Sequence, residues 1–330
     1  KREIIMKIKI EKRAFEHKKS FVITGYTFNT SDTVWVTLDH EGHTGRGEAM
    51  GIYYNDEDMD TMSAELEAVT SSISNDITFD QVQELLPYGG ARNALDCALW
   101  DLRMKQAGIT IWQYLNLTPK PLVTVATVGI NTPEKMAEEA LEHSKYAKLK
   151  IKLSADDPIT RLEAIRAVRP DVSLIVDVNQ GWTFAELKEY TPAAQKLGIE
   201  MIEQPLPRGK DEELEGYKSL VPLGSDESCL DSSEYAVSAG RYDVINIKLD
   251  KCGGLTDALK IIELAKRDGK VLMVGNMSGT SLSMAPSYVI GQYCQFVDID
   301  GPLFLKQDID SGLEYKYGGI VSVPSTELWG

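Results

Sequence analysis

Ala147-Lys148-Leu149-Lys150-Ile151-Lys152-Leu153 alternates apolar and basic residues with a period of two. A β-strand therefore sets Leu149, Ile151 and Leu153 on one side and Lys148, Lys150 and Lys152 on the other. Taken alone, this is an amphipathic edge strand with its lysines in water. The chain downstream argues against that, because strand after strand ends in a carboxylate or an amine, at a spacing that brings all of them to one place.

Just before this stretch, Val123 to Val128 is followed by a helix whose start is marked by a hydroxyl cap, a first-turn proline and an acid at Thr132-Pro133-Glu134. After it come a helix from Pro158 to Val168, a strand from Val172 to Val176 and a helix from Phe184 to Leu197. Glu200 to Ile202, Val221 to Gly224, Val244 to Ile247, Val271 to Val274 and Gln295 to Ile299 read as five more strands, each separated by a helical segment. Eight strands and seven helices over about 190 residues mean an α/β fold closed as a parallel barrel, not an open sheet.

Ahead of the barrel, Ile8 to Ala14, Val22 to Tyr26 and Thr33 to Leu38 form an antiparallel meander, and helices follow over residues 58–76 and Gly90 to Gly108. This α+β unit ends near Thr118-Pro119, and the extended tail Gly318 to Val323 is expected to return to it. The expected division is a cap over residues 1–118, with a C-terminal return at 313–330, on a barrel at 119–312. Met6 is a candidate native start, with Lys1 to Ile5 ahead of it.

Fifty acidic against 35 basic residues give a net charge of −15, which repels nucleic acid and anionic membrane surfaces. No apolar run approaches the roughly twenty residues that span a bilayer. The four cysteines lie far apart without a CxxC pair and read as free thiols, so a reducing, cytoplasmic location is expected. A homo-oligomer stays open. The four histidines all fall in the first half of the chain, which removes imidazole as ligand or base at the later strand ends.

In a parallel barrel the chemistry sits at the C-terminal ends of the strands. There, three consecutive strands present Asp177, Glu203 and Asp226, about 25 residues or one βα unit apart. Any one of them alone is better read as a helix cap or loop residue, but three in register with no thiolate or imidazole describe a hard-cation site, and Mg2+ fits best. Lys152 on strand two and Lys248 on strand six flank the trio from opposite sides of the mouth. Opposed amines suit inversion at carbon, one removing a proton and the other returning it on the far face. Lys150 is expected to lower the pKa of Lys152 by like-charge repulsion. A surface ion pair with Asp250 is the plainer alternative for Lys248.

Together these motifs resemble the enolase superfamily and, within it, the muconate-lactonising subgroup. The resemblance implies an α+β cap on a modified TIM barrel, (β/α)7β, with Lys150-Ile151-Lys152 as the KxK motif, Asp177, Glu203 and Asp226 as metal ligands and Lys248 as the second base. It extends over nearly the whole chain, including Gly45-Arg46-Gly47-Glu48 and the helix Ala91 to Leu102. Racemases with a histidine on strand seven are disfavoured, since Gly275-Asn276-Met277-Ser278 has none. Asp298-Ile299-Asp300-Gly301-Pro302 is similar to the DxD motif of dipeptide epimerases, whose carboxylates hold the substrate ammonium group; a plain turn is the alternative. Lys150, Thr127, Tyr26 and Met277 complete the candidate substrate-binding set. The implied activity is Mg2+-dependent epimerisation at the C-terminal residue of an L,L-dipeptide through an enediolate. Muconate cycloisomerase or o-succinylbenzoate synthase keeps the same machinery but leaves Asp298 and Asp300 unexplained, and a non-catalytic binding barrel leaves the paired lysines unexplained.

Epimerases of the Ala-Glu type carry an arginine in the mobile cap loop, whereas Phe21 to Thr30 contains no basic residue. The second cap loop, Tyr53 to Asp58, is acidic and aromatic. An uncharged or basic C-terminal side chain is therefore expected in preference to glutamate.

Overall fold

The computed structural model describes residues 5–330, so residues 1–4 of the segment ahead of Met6 lie outside the described residues. Two long strands, Lys7–Ile23 and Tyr26–His40, form an antiparallel hairpin, and His43–Met50 adds a third strand. The strand expected over Val22 to Tyr26 is thus two strand ends around a turn. Gly25 there takes φ +79°, a conformation that L side chains rarely adopt. Val34, Val36 and Leu38 bury against Ala94, Leu95 and Leu102 of the helix Gly90–Ala107. The contact is backbone-close: a Cβ on Gly47 would stand 2.0 Å from the Ala94 carbonyl oxygen, which explains a glycine in the Gly45-Arg46-Gly47 run. The helix expected over 58–76 stops at Val69 and passes into a 3-10 turn. A further short helix, Phe79–Leu85, starts at a reciprocal cap formed by Thr78 and Gln81.

Eight parallel strands follow in one sheet, hydrogen-bonded in chain order from Ala126–Val128 to Phe296–Val297. The sheet curls on itself, and Val125 N–H donates to Val297 C=O at 3.0 Å across the seam between first and last strands. Val125, Ile175, Met201, Val244, Met273 and Phe296 pack together on its inner face. Leu149, Ile151 and Leu153 instead belong to the cluster with Leu162, Ile165 and Leu187 of the helices Pro158–Val168 and Phe184–Lys196. The lysine strand, Lys148–Lys152, lies between two parallel neighbours, so Lys150 and Lys152 are inside and buried, not on an edge in water.

Three expectations about the barrel are corrected. The run Val123 to Val128 splits: Leu122–Val123 pairs antiparallel with Ile320–Val321, and only Ala126–Val128 enters the barrel. Between Ile199–Glu203 and Leu223–Ser225 there is one 3-10 turn, Glu212–Leu214, in place of a helix; Pro205 and Pro207 deny that segment helical hydrogen bonds. The tail's strand meets the lead-in to the barrel, while the last residues reach the cap: Trp329 Nε1 donates to Cys97 O at 3.0 Å and Gly330 N to Asp101 Oδ1 at 2.8 Å.

Buried carboxylates tie cap to barrel. Glu48 Oε1 accepts from Thr280 N at 2.8 Å, and Asp250 Oδ1 accepts from Met50 N at 3.0 Å and Asn93 Nδ2 at 2.9 Å. Burial pushes the Glu48 carboxyl up to about 7 and the Asp250 carboxyl up to about 8, against ordinary values of 4.5 and 3.8. Each group binds its proton more tightly folded than unfolded. Its contribution to stability is complete below the unfolded value and is lost as pH rises through the folded one, at about 1.4 kcal/mol per pH unit per group. The Glu48→Gln/Asp250→Asn variant keeps the acceptor oxygens and removes both titrations. Its melting temperature, followed by circular dichroism from pH 5 to 9, should fall less steeply than that of the unaltered protein, and parallel curves would contradict this assignment.

Candidate active site

Strand register builds the site. Lys152 pairs with Asp177 on the next strand, and Asp177 with Glu203 on the one after, so three side chains end at one level. Asp226, Lys248 and Asp298 each directly follow the last residue of their own strands. Asp177, Glu203 and Asp226 are buried, and each brings one carboxylate oxygen within 4.8 Å of the others.

The lysines interlock with these acids. Lys150 Nζ lies 3.1 Å from Asp177 Oδ2, 2.8 Å from Glu203 Oε2 and 2.9 Å from Asp298 Oδ2. Lys152 Nζ lies 2.6 Å from Asp177 Oδ2 and donates to Asn179 Oδ1 at 2.9 Å. Lys248 Nζ lies 2.6 Å from Asp226 Oδ2. Its alternative pairing with Asp250 does not form, because Asp250 turns to the cap. Lys251, to which the sequence alone assigns no role, is fully buried 2.9 Å from Asp226 Oδ1 and donates to the carbonyls of Asp226, Cys229 and Asn246.

Burial opposes the charge on Lys150, but Asp298, Glu203 and Asp177 outweigh it and hold the ammonium well above its ordinary value. Lys150 and Lys152 share Asp177 Oδ2 as an anionic partner, at 3.1 and 2.6 Å. Burial works against Asp226 too, but Lys248 and Lys251 draw its carboxyl well below the usual range. Burial, reinforced by neighbouring carboxylates, pushes Glu203 up to about 7 and Glu227 up to about 8, and raises Asp300 beside Asp298.

A charge balance explains these directions. Asp177, Glu203, Asp226, Glu227, Asp298 and Asp300 are all buried, as are Lys150, Lys152, Lys248 and Lys251. Six carboxylates against four ammonium groups leave two negative charges uncompensated, and buried charge is costly unless protons or a cation arrive. Glu203 Oε2 and Asp226 Oδ1 meet only ammonium nitrogens and accept no well-directed hydrogen bond, while Glu227 Oε2 and Asn246 Oδ1 have no hydrogen-bond partner among the described residues. Three converging oxygens, unfilled lone pairs and a twofold negative excess fit an oxygen-preferring divalent cation.

Above this layer is a cavity under the cap, into which Lys150, Lys152, Lys248, Asp298 and Asp300 all face. Thr127 and Met277 also line it, as expected. Tyr26 does not: it is 43% exposed, its ring packed edge-on against Tyr53 at 4.5 Å. Unread from sequence were Asn179 and Asn276 and an apolar wall of Phe21, Ile23, Phe28, Met50, Tyr53 and Phe304. The signal for that wall was the cluster of large apolar residues around the Gly25 turn. Asn276 Nδ2 donates to Asp298 Oδ1 at 3.1 Å and to Asp300 Oδ1 at 3.4 Å, and Asp300 Oδ2 accepts from Thr127 N at 2.8 Å. The two strand-eight carboxylates are thereby held side by side. The hairpin tip is pinned over the cavity by Thr24 Oγ1, 3.1 Å from Leu153 O and 3.0 Å from Val178 O.

The acids of the second cap loop are engaged elsewhere. Glu57 accepts from Ile52 N at 2.8 Å and Gly90 N at 2.8 Å, and Asp58 caps the helix Met59–Val69. Neither carboxylate lines the cavity, so the expected help for a cationic substrate is absent from its wall.

A capped parallel barrel with carboxylates on three consecutive strands and lysines on both flanks is a site of the enolase type. The chain belongs to the mandelate racemase/muconate lactonizing enzyme family: residues 6–116 match its N-terminal domain, and residues 134–320 match the enolase C-terminal domain-like family. An N-acetyl-D-glutamate racemase of Pseudoalteromonas sp. is 37% identical over 90% of this chain and 94% of that protein. The L-Ala-D/L-Glu epimerase of Escherichia coli K12 is 36% identical over 94% and 98%. An Agrobacterium tumefaciens enolase-family structure with homology to dipeptide epimerases, holding sodium and L-Ala-L-Glu, superposes with a TM-score of 0.94 at 40% identity, covering 99% and 100% of the two chains. The dipeptide epimerase of Enterococcus faecalis V583, complexed with Mg and L-Leu-L-Tyr, gives 0.90 at 27%, covering 97% of each.

Titration with Mg2+ by calorimetry should show a single site per chain. Glu203→Gln should weaken it at least tenfold, or about 1.4 kcal/mol, and undiminished binding would remove Glu203 from the ligand set.

Proposed function

We propose that this protein is a Mg2+-dependent dipeptide epimerase that inverts the α-carbon of the C-terminal residue. The observation that carries this reading is the pair Asp298 and Asp300, held side by side on a cavity that Lys152 and Lys248 also face. A substrate ammonium group finds acceptors there, and a neutral zwitterionic dipeptide adds no net charge to a site that already holds more buried carboxylates than amines. An N-acylated amino acid or a dicarboxylate brings net negative charge and offers Asp298 and Asp300 no ammonium group. Muconate-type and succinylbenzoate-type substrates fit less well for that reason, and a binding barrel without catalysis has no use for two lysines facing one cavity.

Asp177, Glu203 and Asp226 would hold the cation, which supplies positive charge against the substrate carboxylate as the α-proton leaves. Asp298 and Asp300, aligned by Asn276, would receive the ammonium group, and the two charged ends fix the α-carbon between Lys152 and Lys248. One amine takes the proton while the other, as an ammonium, returns one from the opposite face. Lys150, bound to three carboxylates, is a positioning residue that spaces the acids and keeps Asp298 charged. The division into a cap (1–118 with 313–330) and a barrel (119–312) and a cytoplasmic location belong to the same reading. No described helix is long and apolar enough to cross a membrane.

Incubation of dipeptide pools with Mg2+ in D2O should introduce one deuterium at the C-terminal α-carbon, read by mass. Lys152→Ala should abolish exchange from one epimer and spare it from the other, with the converse for Lys248→Ala. Absence of uptake with every dipeptide sinks the proposal, and full activity in either variant removes that lysine.

The strand-eight acids have a separate test. Asp298→Asn should raise KM for dipeptides at least tenfold more than for their N-acetyl analogues, and an equal effect on both would contradict ammonium binding.

A further inference from the structure

We infer, on the reading of the site as a dipeptide epimerase, that the side chain of the inverted residue is apolar and is selected by Ile23, Phe28, Met50 and Tyr53 of the cap. Three of the four substituents of the α-carbon are already placed. The hydrogen points to a lysine, the carboxylate to the acidic trio and the peptide nitrogen toward strand eight. The fourth has only the cap to meet, and there the cavity wall consists of those four side chains and Phe21.

That wall carries no charged side chain, and the Tyr53 hydroxyl is its one polar group. The ammonium groups that face the cavity, on Lys150, Lys152 and Lys248, are each within 3.1 Å of buried carboxylates. A γ-carboxylate on the substrate would compete for them with acids already in place or lie unpaired against phenyl and thioether groups, which is unfavourable in a water-poor cavity. A basic side chain fares no better, since Glu57 is held by the amides of Ile52 and Gly90 and Asp58 by its own helix. Tyr53 and Phe28 pack edge-to-face at 5.2 Å, closing the wall to a solvated charge but leaving aromatic and thioether surface for an aliphatic or aromatic group. The similar proteins include one bound to L-Ala-L-Glu and one bound to L-Leu-L-Tyr. The apolar wall suits the C-terminal side chain of the second ligand.

Initial exchange rates in D2O with Mg2+ should give kcat/KM for L-Ala-L-Leu and L-Ala-L-Phe at least tenfold above L-Ala-L-Glu and L-Ala-L-Lys. A higher value for either charged dipeptide overturns the inference while leaving the epimerase reading intact. Exchange with none of the four removes both. Phe28→Arg places a guanidinium in the wall and should shift the ratio of Ala-Glu to Ala-Leu at least tenfold toward Ala-Glu. Because the ratio is internal to each preparation, partial loss of folded protein does not affect it, and an unchanged ratio also counts against the inference.

Discussion

Four ammonium groups and six carboxylates share one water-poor layer at the top of the barrel, and most of the architecture exists to keep them there. Lys150 is the centre of that layer, since its single charge touches acids from strands three, four and eight. An isolated lysine at 1% exposure would be expelled or deprotonated, and the acids alone would repel one another. Each sign makes the other tolerable. The residual excess of two negative charges is the property that a divalent cation satisfies.

That layer can exist only if the rest of the barrel is dry and well ordered. Beneath it the inner face is filled by Ile175, Met201, Val244 and Met273, and outside it Leu149, Ile151 and Leu153 seal strand two against its helices. Above it, the cap brings an apolar wall and a hairpin tip fastened by Thr24 to the loops after strands two and three. The seam between cap and barrel repeats the same device in milder form, with Glu48 and Asp250 each accepting hydrogen bonds from the opposite unit. Low dielectric strengthens such bonds and also makes leaving any of them unmade expensive.

Much of this was legible in the chain itself, for particular reasons. The period-two alternation around Lys150 and the regular return of Asp177, Glu203 and Asp226 are local or evenly spaced, so a strand-and-helix rhythm reveals them. Short elements were read less well. The strand over residues 22–26 proved to be a turn at Gly25, and the helix between strands four and five proved to be a 3-10 turn, because one glycine or a pair of prolines outweighs several apolar residues. Lys251 was passed over since nothing in Leu249-Asp250-Lys251 distinguishes a buried amine from a solvated one.

The sequence by itself determined the class of fold, the three acids and the two flanking lysines, because strand order and strand ends follow from periodicity along the chain. Only the tertiary structure decided which charges are paired, that Tyr26 stands outside the cavity while Phe21, Phe28 and Met50 stand inside it, and that the acids of the Tyr53 to Asp58 loop are absorbed by backbone amides. Those outcomes depend on contacts between residues up to about two hundred positions apart, such as Met50 with Asp250. A Coulomb or packing energy is set by distance in space, which no spacing along the chain encodes.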